Sequence, residues 1–314
     1  MKYKALIISI KGVKLSQREK ALLSNEKPWG VILFKRNLQS FDQTKKLTSE
    51  IRFLTKNKSF PILIDEEGLS VSRLRKLIDH NFSSYFFGNL FKVNKDLCIS
   101  LLNQYIKSLC IILRDLGINI NTIPVLDILR HNTNKIIGSR SFSKEKKIVK
   151  ELGALTLKYL HANKIAGVIK HIPGHGASKD DSHKKMPKVS ISRSKLNEID
   201  FFPFKSSKAK LAMTAHILYT NLDRKNVATF SQKIINKTIR KKIGYKGILI
   251  SDDISMKALK YDLITNAKKS LDAGCNIVLY CSGNIDDNYK LIKSLPYIDE
   301  FTIKKTSEFF KFLR

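Results

Sequence analysis

The segment KHIPGHGASKDDSHKKMP, from Lys170 to Pro187, gathers His171, His175 and His183 with Asp180 and Asp181 around a Pro-Gly turn. Pro173, Gly174 and Gly176 bar a regular helix. These polar groups must therefore sit on irregular backbone, where catalytic side chains concentrate. In the DSH tripeptide, Asp181 lies two residues before His183, close enough for a carboxylate to orient an imidazole and favour its protonated form. That arrangement suits a general acid/base, and a solvated loop histidine is the plainer alternative. His171 and His175 have the spacing of a helical zinc pair, with His183 as a third ligand, but Pro173 and Gly174 spoil the helix and no metal is expected.

A second concentration is GILISDDISM, where Asp252 ends an apolar run. A carboxylate there can serve as a nucleophile or electrostatic stabiliser if it points across a shared cavity, or it can be structural. Asp253 is expected to point elsewhere, toward the following helix or a structural hydrogen bond. Arg73, Arg140 and Lys170 lie beyond strand ends or in Gly-containing loops, where they suit a polar ligand's oxygens, with solvated surface cations as the plainer alternative. The chain lacks a Walker loop, a GxGxxG and a GxSxG elbow, which argues against phosphoryl transfer, dinucleotide redox and α/β-hydrolase chemistry.

Such residues need a rigid platform. Short apolar runs recur at 5–10, 30–34, 60–64, 118–125, 166–169, 210–214, 247–250 and 276–280, and most are separated by segments of helical periodicity. Unbroken Val/Ile/Leu runs are expected of parallel strands buried on both faces. Eight strand-helix units predict an α/β fold, a single-domain (β/α)8 TIM-type barrel over 1–314, with a doubly wound open sheet as the alternative. Active sites of barrels gather at the carboxyl ends of the strands. Asp65, Asp127, Lys170, His171, His216 and Asp252 all fall at such ends. Helices are expected from Ser16 to Leu23, Asp42 to Leu54 and Ser143 to His161, each opening on a capping residue type. The long connection from Asp65 to Asp96, with Phe82, Tyr85, Phe86 and Phe87, is expected to add loop structure over the barrel mouth.

The formal charge of +31 raises the possibility of polyanion binding. The lysines are scattered, however, and no nucleic-acid module is recognisable, so no specific nucleic-acid partner is expected. A 43% hydrophobic fraction supports a sizeable core, and no run reaches the roughly 18 uninterrupted apolar residues of a membrane span. The apolar run at 5–10 is shorter than a secretory h-region of about 7 residues and reads as a buried first strand. Cys98, Cys110, Cys275 and Cys281 form no CxxC or zinc pattern, which fits reduced thiols and a soluble, cytoplasmic protein.

The ordered motifs GVILFKRN, IDEEGLSVSRL, PVLDI, IIGSRSFS, KHIPGHG with DSH, MTAHILY, ISDDISM and AGCNIVLYC resemble the glycoside hydrolase family 3 β-N-acetylhexosaminidases of the NagZ type. The resemblance runs from about residue 30 to about residue 280. It implies a retaining exo-glycosidase that releases terminal β-linked N-acetylglucosamine from muropeptides in cell-wall recycling; a saccharide substrate, no cofactor and a monomer are expected. By the same motifs Asp252 looks like the nucleophile and His183, paired with Asp181, the acid/base. Asp65, Arg73, Arg140, Lys170 and His171 look like sugar-binding positions, and Met213 and His216 border the site. Leu69 stands where the family pattern has glycine, Ser70 where it has arginine, and Asn276 where aspartate is common. Two other readings remain: phosphate instead of water resolving the glycosyl-enzyme, and a non-catalytic binder of polyanions.

Overall fold

The structure is a computed structural model that describes residues 3–131, 133–182 and 184–313. Eight parallel strands close into a barrel: β1 (Lys4–Ser9), β2 (Pro28–Leu33), β3 (Ile62–Ile64), β4 (Ile120–Asn121), β5 (Ala166–Ile172), β6 (Leu211–Thr214), β7 (Ile248–Asp253) and β8 (Ile277–Leu279). They neighbour one another in chain order, and β8 closes on β1 through Leu6↔Val278 and Ile7↔Leu279. All eight expected runs became barrel strands. Their β-branched and leucine side chains are almost fully buried, as strands packed between a barrel interior and an outer helical ring must be. The run at 118–125 is strand only at Ile120–Asn121, after which a single bridge, Val125↔Lys170, continues the contact with β5.

Helix α1 (Gln17–Asn25) opens on Ser16 with a full capping box: Ser16 Oγ accepts from Glu19 N at 3.3 Å and Glu19 Oε2 accepts from Ser16 N at 2.8 Å. Two helix starts differ from expectation. Helix α2 (Phe41–Leu54) is capped by Ser40, with Asp42 inside its first turn, where its charge favours the positive helix end. Helix α5 (Lys146–Ala162) begins three residues after Ser143, whose Oγ accepts from Glu145 N at 3.1 Å and so holds the approach turn instead of the cap.

The β3 connection first folds as a loop beside the barrel mouth, then forms α3 (Ser84–Val93) and α4 (Lys95–Asp115). Phe82 stacks on Phe87 and meets Tyr105 edge-on, with ring centroids 5.7 and 5.3 Å apart. The expected aromatic patch is thus split: Phe87 is buried as a wedge between α3 and α4, while Tyr85 and Phe86 face outward. Helix α4 is long and apolar enough to cross a membrane by length and composition alone. Cys98, Leu102, Ile106, Leu109, Cys110 and Leu113 form its buried stripe.

Two stitches hold the loop after β5 at the mouth. A two-residue parallel pair, Lys188–Val189 with Leu218–Tyr219, joins it to the loop after β6. Ala258 N donates to Ser182 O at 3.1 Å, joining it to the loop after β7.

Candidate active site

The carboxyl ends of the strands surround a cavity of about 470 Å³. Asp65, Arg73, Arg140, Lys170, His171 and Asp252 all line it, so six of the sequence-predicted positions converge there. Asp65 leaves the end of β3 and accepts from Arg73 Nη2 at 2.8 Å and from Thr122 Oγ1 at 2.6 Å. Lys170, on β5, donates to Thr122 Oγ1 at 2.7 Å and sits 3.7 Å from Asp65 Oδ1. Burial by itself would raise the Asp65 pKa, but Lys170, Arg73 and the two hydrogen bonds outweigh it and hold the carboxyl well below the usual range. A fixed carboxylate braced by two cations presents both acceptors and donors to vicinal hydroxyls.

Glu67, which the sequence reading did not single out, is the hub of the opposite wall. Its carboxylate takes Arg140 Nε at 2.6 Å and Arg140 Nη2 at 3.0 Å, a bidentate fork, and pairs with Lys170 Nζ at 2.6 Å. Burial opposes its charge, yet Arg140 and Lys170 prevail and its pKa falls to about 2. The only sequence cue was its place two residues beyond Asp65 in IDEEG. Glu66 lies between them and points the other way. Its Oε2 accepts Arg73 N at 2.7 Å and Leu74 N at 2.8 Å, and its Oε1 meets His80 Nε2 at 2.8 Å, which pins the strand of loop carrying Arg73.

The family departures leave this scaffold intact. Gly68 has φ +121 and Leu69 has no positive φ, so the turn needs only one glycine. Leu69 N donates to Phe82 O at 2.8 Å, and Ser70 Oγ hydrogen-bonds Ser139 Oγ. Asn276 lies at the opposite end of the barrel, where its Oδ1 accepts Arg240 Nη2 and Leu249 N, each at 2.8 Å. It holds strand ends together and takes no part in the cavity.

Asp127, buried beyond β4, positions two histidines. It accepts from His175 N at 2.6 Å and contacts His171 Nδ1 at 2.7 Å, leaving His171 Nε2 for the cavity. His175 also lines the cavity, and its Nδ1 has no hydrogen-bond partner among the described residues. Burial outweighs the attraction of Asp127 and pushes the His175 pKa down to about 4. An unfolded histidine titrates near 6.5, so between about 6.5 and 4 the unfolded chain binds a proton that the folded chain refuses. Stability therefore falls as pH drops through that window, by up to about 3 kcal/mol from this group. Burial depresses His216 in the same direction. Urea unfolding at pH 7.5 and pH 5 should show His175→Gln losing less stability on acidification than the parent, and parallel losses would refute the assignment.

Asp252 ends β7 and is partly open to the cavity. Burial would raise its pKa. The His216 and His171 rings, the Asp253 N–H at 2.8 Å and the Lys170 ammonium overcome that effect, and the carboxyl lies below its ordinary value. Burial also lowers the His216 pKa, which weakens that ring's share, while the Lys170 ammonium and the Asp253 N–H act on the carboxylate whatever the state of His216. Asp253 has a different environment. It accepts Ser255 Oγ at 2.7 Å, Ser255 N at 3.1 Å and Cys281 N at 3.3 Å, and burial outweighs these bonds to raise its pKa. The expected structural hydrogen bonds of Asp253 are present, but Asp253 also borders the cavity, so the two aspartates differ in bonding and not in the space they face. His216 bridges Thr229 Oγ1 at 2.7 Å and Asp253 O at 3.0 Å, which fixes the floor beneath Asp252.

His183 lies outside the described residues. Its neighbour Ser182 lines the cavity, and Asp181 is half-buried, with its carbonyl accepting Lys184 N at 3.0 Å and Lys185 N at 3.1 Å. Asp180 pairs instead with Lys185 at 2.9 Å. Among the described residues no cluster of three or more His, Cys, Asp or Glu side chains has metal-binding geometry.

A closed parallel barrel whose strand ends present a charged, hydroxyl-matching cavity with an ionised aspartate at its floor is the framework of a barrel enzyme acting on a polar small molecule. Residues 2–306 match the glycosyl hydrolase family 3 N-terminal domain. A β-hexosaminidase of Nitrosomonas eutropha is 33% identical over 309 residues, covering 96% of this chain and 86% of that protein. A β-hexosaminidase of Shewanella frigidimarina is 30% identical, covering 90% of this chain and 83% of its own length. NagZ from Neisseria gonorrhoeae, solved with N-trifluoroacetyl-D-glucosamine, superposes with a TM-score of 0.88 at 28% identity, covering 98% of this chain and 90% of the other. A family 3 β-N-acetylglucosaminidase from Paenibacillus gives a TM-score of 0.86 at 26% identity; the alignment covers 98% of this chain but 60% of that longer protein. The chain belongs to glycosyl hydrolase family 3, and it is a glycoside hydrolase.

Proposed function

We propose that the protein is a retaining exo-β-N-acetylglucosaminidase. The observation that carries this reading is the placement of Asp252: an aspartate with a lowered pKa at the end of β7, facing the same cavity as Asp65, Arg73, Lys170, Arg140 and His171. An ionised carboxylate on the cavity floor is suited to attack an anomeric carbon. The braced pairs Asp65 with Arg73 and Glu67 with Arg140 and Lys170 hold donors and acceptors ready for a sugar's hydroxyls, without reorganisation during reaction.

In this mechanism Asp252 attacks C1 while protonated His183, oriented by Asp181, gives its proton to the departing glycosidic oxygen. The C1–oxygen bond breaks and a covalent glycosyl-enzyme forms. Neutral His183 then takes a proton from water, whose oxygen attacks C1 and frees Asp252, so two inversions give net retention. This replaces the usual second carboxylate by a histidine. The stitching of the β5 loop to the loops after β6 and β7 supports it, because the segment bearing the acid/base is then tied to the segment bearing the nucleophile.

The biological setting we propose is the cytoplasmic removal of N-acetylglucosamine from muropeptides during cell-wall recycling, by a monomer. Four cysteines outside any disulfide support a reducing compartment. The test is hydrolysis of 4-nitrophenyl N-acetyl-β-D-glucosaminide beside the corresponding β-glucoside, in phosphate and in non-phosphate buffer. Release of free N-acetylglucosamine in both buffers, with little turnover of the glucoside, is expected. Sugar 1-phosphate as the main product would replace hydrolysis by phosphorolysis, and preference for the glucoside would overturn the substrate assignment.

A further inference from the structure

A second hollow lies apart from the catalytic cavity. It is a groove of about 560 Å³ on the barrel's flank, a volume within the roughly 300–1,000 Å³ of small-molecule sites. One wall is a stripe of α5, from Lys150 through Ala154, Leu157 and Lys158 to His161, which helical spacing places on one face. The other wall is the connector from Lys205 to Lys210, ahead of β6. Leu126, Ile165 and the first residues of β5 make an apolar floor, closed at one end by Phe312 stacked on the His161 ring with centroids 4.3 Å apart.

The charges around this floor are all of one sign. Lys150, Lys158, Lys205, Lys208 and Lys210 line the groove, and among the described residues no carboxylate does. None of those five lysines forms an ion pair among the described residues, in contrast with Arg73, Arg140 and Lys170 of the catalytic cavity, each paired with an acid. Lys150 and Lys210 lie over the rings of Phe202 and Phe312, at 4.8 and 5.4 Å. Burial, then neighbouring lysines, depress both Lys205 and His161. Crowded cations with no counter-charge are repulsive, and an anion seated among them relieves that repulsion.

We propose that this groove binds a freely dissolved amphipathic anion, a molecule with a single acyl or aryl body ending in a phosphate or carboxylate. The body covers the apolar floor and the head sits among the lysines. The site is separate from the catalytic cavity, because Ile165 to Gly167 and Ala209 to Lys210 belong to the amino ends of β5 and β6, whereas catalysis is assigned to their carboxyl ends.

The experiment is isothermal titration of the full chain with octyl phosphate below its micellar concentration, beside octyl glucoside, which keeps the tail, and inorganic phosphate, which keeps the head. Saturable one-to-one binding of octyl phosphate is expected, at least about tenfold tighter than either control, since each control forfeits one of two contributions worth about 1.4 kcal/mol or more. Ala154→Trp, an exposed position that fills the groove, and the double variant Lys158→Glu/Lys208→Glu should each weaken binding about tenfold while glycosidase turnover stays unchanged. Either variant suffices if the other fails to fold. Absent or non-saturating binding overturns the proposal. So does affinity that both variants retain, or tighter binding of inorganic phosphate or an oligonucleotide than of octyl phosphate.

Discussion

Asp252→Ala removes glycosidase turnover, with kcat expected to fall by about four orders of magnitude or more, because the covalent route loses the atom that bonds to C1. The folded state should survive. The Asp252 side chain accepts one described hydrogen bond, from Asp253 N, and borders a cavity rather than the core. Asp253→Ala is the informative companion, because the two residues are adjacent and share a chemistry. Asp253 ties Ser255 and Cys281 together across the β7 and β8 ends. Its loss should lower the melting temperature and reduce turnover far less than Asp252→Ala does. Equal losses of turnover from the two variants, at equal stability, would remove the distinction on which the nucleophile assignment stands.

The second large effect is expected at Glu67. Lys170 and Arg140 are nearly buried and share its carboxylate, so Glu67→Ala leaves Arg140 without an acid and Lys170 with only Thr122 and the more distant Asp65. Removing one partner from a buried pair costs about 3–5 kcal/mol. The charge that keeps Lys170 directed between Asp65 and Glu67 also disappears, which should raise KM for the glycoside more than it lowers kcat. Glu67→Gln preserves shape and one acceptor while removing charge, so it should fall between Ala and the parent in chemical denaturation and in KM. The sign of the pH effect follows from the lowered pKa. The stability from this group is complete above its unfolded value near 4.3 and is lost as pH falls toward about 2, and Glu67→Gln should flatten that limb. Unchanged stability and KM in Glu67→Ala would mean that the wall holds without its carboxylate.

The barrel was legible because parallel strands buried on both faces leave unbroken runs such as ALIISI and GILIS, and because polar residues follow those runs at the mouth. Of the predicted residues that line the cavity, Asp65, Lys170, His171 and Asp252 were legible from their places at strand ends, whereas Arg73 and Arg140 reach it from loops. Residues defined by pairing were harder to see. Glu67 acts by holding Arg140 and Lys170, and Asp127, legible only as a polar residue at a strand end, acts by holding His171 and His175; these partners are distant in the chain, and no local spacing reveals such long-range hydrogen bonds. Helix starts were misread where two polar residues compete: Ser40 reaches Gln43 N ahead of Asp42, and Ser143 spends its hydroxyl on Glu145 N before the helix begins. Asn276 looked like a site departure only because it sits in a matched motif. Its carbonyl oxygen joins Arg240 to Leu249 at the far end of the barrel.

The most direct measurement is mass spectrometry of the enzyme after reaction with a fluorinated N-acetylglucosaminide that glycosylates quickly and hydrolyses slowly. The account predicts an intact mass increased by one sugar residue and a digest that places the sugar on Asp252. A protein that turns over the parent glycoside yet carries the label on another residue, or never acquires one under conditions of rapid turnover, would contradict it.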